Sequence, residues 1–433
     1  MLFALALASL LTGTPRPVQL PAGILTVTAE TRVPAGFTLR GHRAGTTLRA
    51  ASTFKGRAIL VCESNVTVER LTIDGNRAAL EKPVEIAPYD KPFIRFYNNN
   101  GIIADGVKAL TLKDITLRNI ANFAVIVAAS DGVALERVHV SDSGSRKANG
   151  RNNTSGGILI EEGTKNFAVR LGRYRNIRGN GLWTHSLYTS PRNGPGVFQS
   201  NDFENIGRDA LQAGHAMDMV IEKNTGRRIG WPVDIVDVEG GGTPVAIDTA
   251  GNVSDTLYAQ NRFEEINGKC IDLDGFHSGR VLENSCVNRG KPEDYPFGHY
   301  GIVFNNTNPD MQSRGIVVEK NLIDGTKFGG IFVIGQHHTI MGNRLLNINM
   351  AGCNESHAKF GCVYDAKQPD LLRSGIYLGA GAERPDPAQL NVISENEISG
   401  YGMAEHCIAA APGIEIGTQD IGKNECRNTP PRK

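Results

Sequence analysis

The sequence predicts an all-β fold, a right-handed parallel β-helix: a solenoid of about a dozen stacked coils. Three observations predict it. A short motif recurs along the chain, in which a small residue followed by an aliphatic one opens a strand. A polar position, usually Asn, recurs after the second short strand of each coil. The composition, 50 Gly with 6% aromatic residues in 433, suits a chain that turns often and packs small aliphatics; long helices would want far less glycine. A chain this long would ordinarily split into about two or three globular domains, but a solenoid escapes that limit because each repeat needs only its neighbours.

The openings are Ala58-Ile59, Gly101-Ile102, Ala124-Val125, Gly157-Ile158, Gly181-Leu182, Ala210-Leu211, Ala246-Ile247, Cys270-Ile271, Gly301-Ile302, Gly330-Ile331, Gly375-Ile376 and Cys407-Ile408. A second β-rich run follows, such as Val66-Thr67-Val68 or Ile316-Val317-Val318, and then the polar position: Asn201, Asn224, Asn261, Asn284, Asn321, Asn343 and Asn396. Asparagines stacked at a bend can hydrogen-bond one above another and satisfy the turning backbone. The openings are spaced irregularly, so loops of different length enter at fixed corners. Residues 18–433 are therefore expected to form a single β-helix domain with insertions near 77–100, 141–155, 232–244 and 350–374, the longest reading as surface loops.

Residues 1–17 are expected to be a signal peptide. Leu2 to Leu11 is an apolar run of the right length, followed by small and turn-forming residues up to Pro17, although no Lys or Arg precedes it. The run is too short to span a bilayer. A secreted or periplasmic protein with no membrane partner is the expectation. Lysine plus arginine (46) nearly cancels aspartate plus glutamate (45), and no basic run offers a footprint for phosphates, so nucleic acid is not an expected partner.

Seven cysteines fit export only if some pair. Cys353 and Cys362 bracket a short polar loop and are expected to bridge. Cys270/Cys286 and Cys407/Cys426 read equally as bridges within a coil or as buried thiols, with Cys62 left over. No close C-x-x-C pair supports a zinc site.

On these repeats the chain resembles the pectate-lyase-like right-handed β-helix superfamily. Val18-Gln19-Leu20-Pro21-Ala22-Gly23, Val33-Pro34-Ala35-Gly36, Leu39-Arg40-Gly41 and Thr46-Thr47-Leu48 are similar to the first coil of many members, and the resemblance runs from about residue 18 to 426. It speaks for fold and little for function, since lyases, hydrolases, epimerases and phage tailspikes share it. The paired adjacent aspartates and Gly-His-Gly of the polygalacturonase branch are absent here.

Strand alternation locates a candidate site. Residues two apart share a side, so with the aliphatic of each opening in the core, the next residue and the one two beyond it face out. The first outward column runs Leu60, Ile103, Ile126, Leu159, Trp183, Gln212, Asp248, Asp272, Val303, Phe332, Tyr377; the second includes Cys62, Asp105, Glu161, His185, Asp274 and Asn305. Both change character in the middle coils, 181–306, where polar residues gather, whereas the flanking coils are mostly apolar. Asp248, Asp272 and Asp274 are expected to share one small patch, since adjacent coils lie ~4.8 Å apart and alternate residues of a strand ~6.6 Å apart.

A carboxylate cluster of this kind suits acid/base work on a glycosidic bond, with one carboxyl kept protonated by its neighbours. The same three aspartates would hold calcium in a rival reading, although no cofactor is required by the first; in a third they are a solvated strand face. His185, His215 and His277 are expected around the patch as substrate or proton-handling groups. Trp183 and Tyr377 are expected as sugar-stacking platforms at its ends, Gln212 and Asn305 as substrate contacts, and Asp237 or Glu239 of the 232–244 loop as residues over the cleft.

The leading expectation is a secreted carbohydrate-active enzyme, a glycoside hydrolase acting on a polysaccharide or oligosaccharide. The alternatives are a polysaccharide lyase or uronate C5-epimerase and a non-catalytic glycan-binding solenoid. Few Lys or Arg stand at outward positions, though Lys269, Arg280 and Arg289 are near, and this weakens the lyase reading. A monomer and a side-by-side homotrimer are both compatible with the fold.

Overall fold

The structure, a computed structural model, describes residues 11–88, 90–238, 242–308, 311–356 and 358–430, so most of the expected signal segment lies outside the described residues. The chain divides into two compact units, one of Met1–Arg208 with Asp234–Gly241, the other of Asp209–Val233 with Gly242–Lys433. Each is built from short strands paired in parallel ladders, as a β-helix requires.

In the first unit three ladders run from coil to coil. One ladder runs Val61↔Ile103↔Ile126↔Leu159↔Trp183, a second Leu39↔Val68↔Leu112↔Leu135↔Val169↔Phe198, and a third Leu48↔Ile73↔Leu117↔Val140↔Tyr174↔Phe203. The second and third are interior columns of buried residues, ending in the parallel stack of Tyr174 on Phe203. Each fully buried aliphatic contributes about 1.5–3 kcal/mol, repeated once per coil on every wall.

The second unit repeats the plan. Its interior columns are Leu211↔Ile247↔Ile271↔Ile302↔Ile331↔Ile376 and Ile221↔Tyr258↔Val281↔Val318↔Ile340↔Ile393, continuing to the half-buried Ile408 and the exposed Ile421, and its third wall carries Phe263↔Cys286↔Ile323↔Leu345↔Ile398↔Cys426. At the bend the expected asparagine ladder is present. Asn224, Asn261, Asn284, Asn321 and Asn343 each donate through Nδ2 to the Oδ1 of the next, at 2.8–3.0 Å, and the ladder continues through Asn396 to Asn424. The Nδ2 groups of Asn261, Asn284, Asn321, Asn343 and Asn396 also donate to backbone carbonyls, so the ladder satisfies turning backbone as well as itself.

At several of the glycine openings the small residue has a steric cause. A Cβ on Gly157 would stand 1.7 Å from the carbonyl oxygen of Gly181 on the adjacent coil, so the coils could not close to strand-pairing distance. The coil at 58–62 departs from the expected frame by one residue. Leu60 pairs with Ile102 and Val61 with Ile103, so Leu60 fills the core and Val61 takes the outward place. A one-residue slip exchanges the two faces of a strand, and the opening there is Ile59-Leu60.

Cys270–Cys286, Cys353–Cys362 and Cys407–Cys426 are disulfides, and Cys62 is a buried free thiol. Three bridges point to an extracytoplasmic protein. Among the described residues no helix is long and apolar enough to cross a membrane.

Candidate active site

The outward column of the second unit carries the acidic patch where the sequence places it. Gln212 stands opposite Asp248, and the Val245↔Lys269 and Ile247↔Ile271 pairs put Asp248 in line with Asp272 on the next coil; Asp274 stands opposite Asn305. Gln212 Nε2 donates to Asp248 Oδ2 at 2.5 Å. Asp274 Oδ1 accepts the Thr307 amide at 2.7 Å, and Asn305 Oδ1 accepts the Asn306 amide at 2.8 Å.

The patch is drier than a strand face in solvent. Asp248 is 9% exposed and Asp272 6%, which removes the reading of scattered solvated aspartates. Burial pushes the Asp248 carboxyl well above the usual carboxylate range, and the nearby charges of Asp209 and Asp272 push it further. Burial likewise raises Asp274. Asp272 is ion-paired with the Lys269 ammonium, while its Oδ1 has no hydrogen-bond partner among the described residues. Burial alone would lower Lys269, but its pairing with Asp272 and the charges of Asp248 and Asp274 outweigh that and raise it. One carboxyl therefore favours its protonated form while its neighbour on the next coil is matched to a fixed cation.

Sequence reasoning missed one member of this arrangement, Asp209, and named Lys269 only as a cation near the patch. Asp209 accepts the Val245 amide at 3.0 Å and stands just ahead of the strand Leu211–Met217, whereas Lys269 opens the strand Lys269–Asp274 two coils on. Both precede the small-aliphatic opening, so counting outward positions from that opening gave neither a place in the columns. The signal was readable: a charged residue directly before Ala210-Leu211 and before Cys270-Ile271.

The three expected histidines occupy different settings. His215 sits buried on a bulge, where the register shifts between Gly214 and Ala216 and its own backbone is left-handed. His277 is half-buried, with Nδ1 3.2 Å from the Gly275 carbonyl oxygen. His185 belongs to the first unit, its ring 4.4 Å from that of Phe93 and its Nδ1 3.8 Å from Glu161 Oε2.

Both stacking platforms are corrected. Trp183 is 4% exposed, covered by the 77–100 insertion, which folds into the helices Arg77–Leu80 and Phe93–Phe96 and packs Phe93, Ile94 and Tyr97 over Val61, Ile103, Ile126, Leu159 and Trp183. Glu161 fastens this cover by accepting the Phe93 and Ile94 amides at 2.9 and 2.6 Å, and Asp105 pairs with Arg95 at 2.6 Å. Tyr377 is 1% exposed, stacked on Phe332 with its hydroxyl 3.0 Å from Gln368 Oε1. In the second unit residues of the 350–374 insertion, among them Phe360 and Leu372, pack with Val303 and Phe332. The insertions are covers for the apolar stretches of the outward columns, which is why those stretches can be apolar.

Asp237 is buried and ion-paired with Lys147 within the first unit, which makes it a structural anchor of its loop; Glu239 lies outside the described residues. Among the described residues no group of three His, Cys, Asp or Glu is arranged to hold a metal ion.

No protein-family model and no curated protein matches the chain. Solved structures do, at low identity. A GH87 alpha-1,3-glucanase catalytic domain, solved with tetrasaccharides, aligns at 13% identity over 88% of this chain and 64% of its own, with a TM-score of 0.51. PfbA, a surface adhesin of Streptococcus pneumoniae, aligns at 13% identity over 77% of this chain and 84% of its own, with a TM-score of 0.57. The pre-mature gene product 12 of bacteriophage phi29 aligns at 12% identity over 94% of this chain and 52% of its own, with a TM-score of 0.56. The chain thus spans just under two thirds of the glucanase chain. The class defined is the right-handed parallel β-helix, a fold common to a glycoside hydrolase, an adhesin and a phage protein.

Proposed function

We propose that this protein is an exported glycoside hydrolase acting on a polysaccharide or oligosaccharide, with its chemistry at Asp248, Asp272 and Asp274. The observation that carries the reading is the pairing of unlike environments on adjacent coils. Asp248 is buried among other carboxyls and held toward its protonated form, as a general acid for the glycosidic oxygen must be. Asp272 has a matched cation in Lys269 and a free carboxylate oxygen, as a base or nucleophile on the sugar side requires. Asp274, anchored by the Thr307 amide, is the third carboxyl and a contact for substrate hydroxyls, with Gln212 orienting Asp248.

Lys269 bears on the lyase alternative. A lyase or epimerase needs a base for the proton beside a uronate carboxylate. The Lys269 ammonium is stabilised by three aspartates, which suits a counter-ion and not a base. The reading requires no metal, since Lys269 supplies the positive charge that calcium would bring to the patch. Asp272→Asn tests the assignment: turnover should vanish with the circular-dichroism spectrum and melting profile of the solenoid retained, and wild-type turnover in this variant would sink it.

A further inference from the structure

The second unit carries a concavity of about 520 Å³ whose lining shares no residue with the acidic patch. Its walls come from the disulfide-closed loop after Cys353, from Arg373 ahead of the strand Ile376–Leu378, from the Tyr401 to His406 turn, and from Asn428. Its size falls within the range of small-molecule sites, about 300–1,000 Å³.

The polar groups of these walls are held by one another. The Arg373 guanidinium pairs with Glu355 at 2.6 Å and with Asp370 at 2.8 Å, and Asp370 also takes His406 Nδ1 at 3.2 Å. Asn428 Nδ2 reaches both oxygens of Glu405, at 3.1 and 2.9 Å. Asn354 Nδ2 donates to the Tyr401 hydroxyl at 3.2 Å. Groups fixed in this way lose little freedom when a ligand arrives.

The chemistry of the lining selects among ligands. Glu355 and Glu405 disfavour a phosphate or sulfate, and Arg373 disfavours a metal ion or an ammonium group. Carboxylates that accept, a guanidinium and amides that donate, and the ring of Tyr401 together match vicinal hydroxyls, which both donate and accept, on a ligand with an apolar ring face. We propose that this concavity is a second, non-catalytic glycan site that takes the end of a neutral oligosaccharide, about two sugar rings deep. It does not depend on what the acidic patch catalyses.

The test is calorimetric titration of the full chain with neutral trisaccharides of glucose, galactose, mannose and xylose. At least one should bind, with the same affinity, within about twofold, in Asp272→Asn, and at least about tenfold more weakly in Tyr401→Ala and Glu405→Gln. Glu405 is exposed, so its variant decides the matter if Tyr401→Ala melts early. No binding up to about 10 mM, or binding untouched by Glu405→Gln, would overturn the proposal. Binding lost only in Asp272→Asn would do the same, by moving the glycan to the acidic patch.

Discussion

Lys269→Met keeps the methylene stem of Lys269 and removes its ammonium, leaving Asp272 beside Asp248 and Asp274 without a counter-charge. Both partners are well buried, with 15% and 8% of their side chains exposed, so screening by solvent is small. Breaking a buried pair by removing one partner costs about 3–5 kcal/mol. The sign with pH follows from the carboxyls. Asp248 and Asp274 already lie above their ordinary range in the folded chain. A carboxyl raised on folding supports the fold below its unfolded pKa, about 3.9, and that support is lost as pH rises through the folded value. Without the ammonium this penalty grows, so the deficit of the variant should be largest at neutral pH and shrink towards about pH 4. Thermal unfolding of variant and wild type at both pH values measures it. A variant as stable as wild type at neutral pH, or one equally weakened at both, would refute the buried-pair account.

Asp248→Asn keeps an oxygen for Gln212 and should fold normally, but steady-state kinetics should show about 10²–10⁴-fold lower kcat. The wild-type rate should fall as pH rises through the raised Asp248 value, and the residual activity of the variant should lack that limb. Trp183→Ala should cost about 3–5 kcal/mol in denaturant unfolding while leaving KM unchanged below the melting range, because Trp183 is core; a KM effect on a stable variant would restore the platform reading. EDTA should leave reducing-end release unaltered, and a loss reversed by calcium would show that Lys269 is not the cation the patch depends on.

Much of this was legible in the residues. The small-aliphatic openings reproduce the register of the coils, down to Asp272 opposite Val303 and Asp274 opposite Asn305, because a side chain that must fill a narrow core fixes the phase of its strand. The asparagines mark the bend because only a side chain with both donor and acceptor can continue a ladder. The exposure of Trp183 and Tyr377 was not legible. Alternation tells which way a side chain points and nothing about what lies over it, and the covering insertions carry no periodicity of their own. The slip at Leu60 had a similar cause: Ala58-Ile59-Leu60-Val61 is apolar throughout, so two phases fit it equally well. Asp209 lies just ahead of its strand, where alternation does not yet apply, and Lys269, at the start of its own, was legible only as a nearby cation.

One measurement bears most directly on the acidic patch as a hydrolytic site: reducing ends and ultraviolet absorbance followed together on a polysaccharide panel, for wild type and Asp248→Asn. The account predicts new reducing ends without an unsaturated product for wild type, and almost none for the variant. Ultraviolet-absorbing product, or equal release by both proteins, would contradict it.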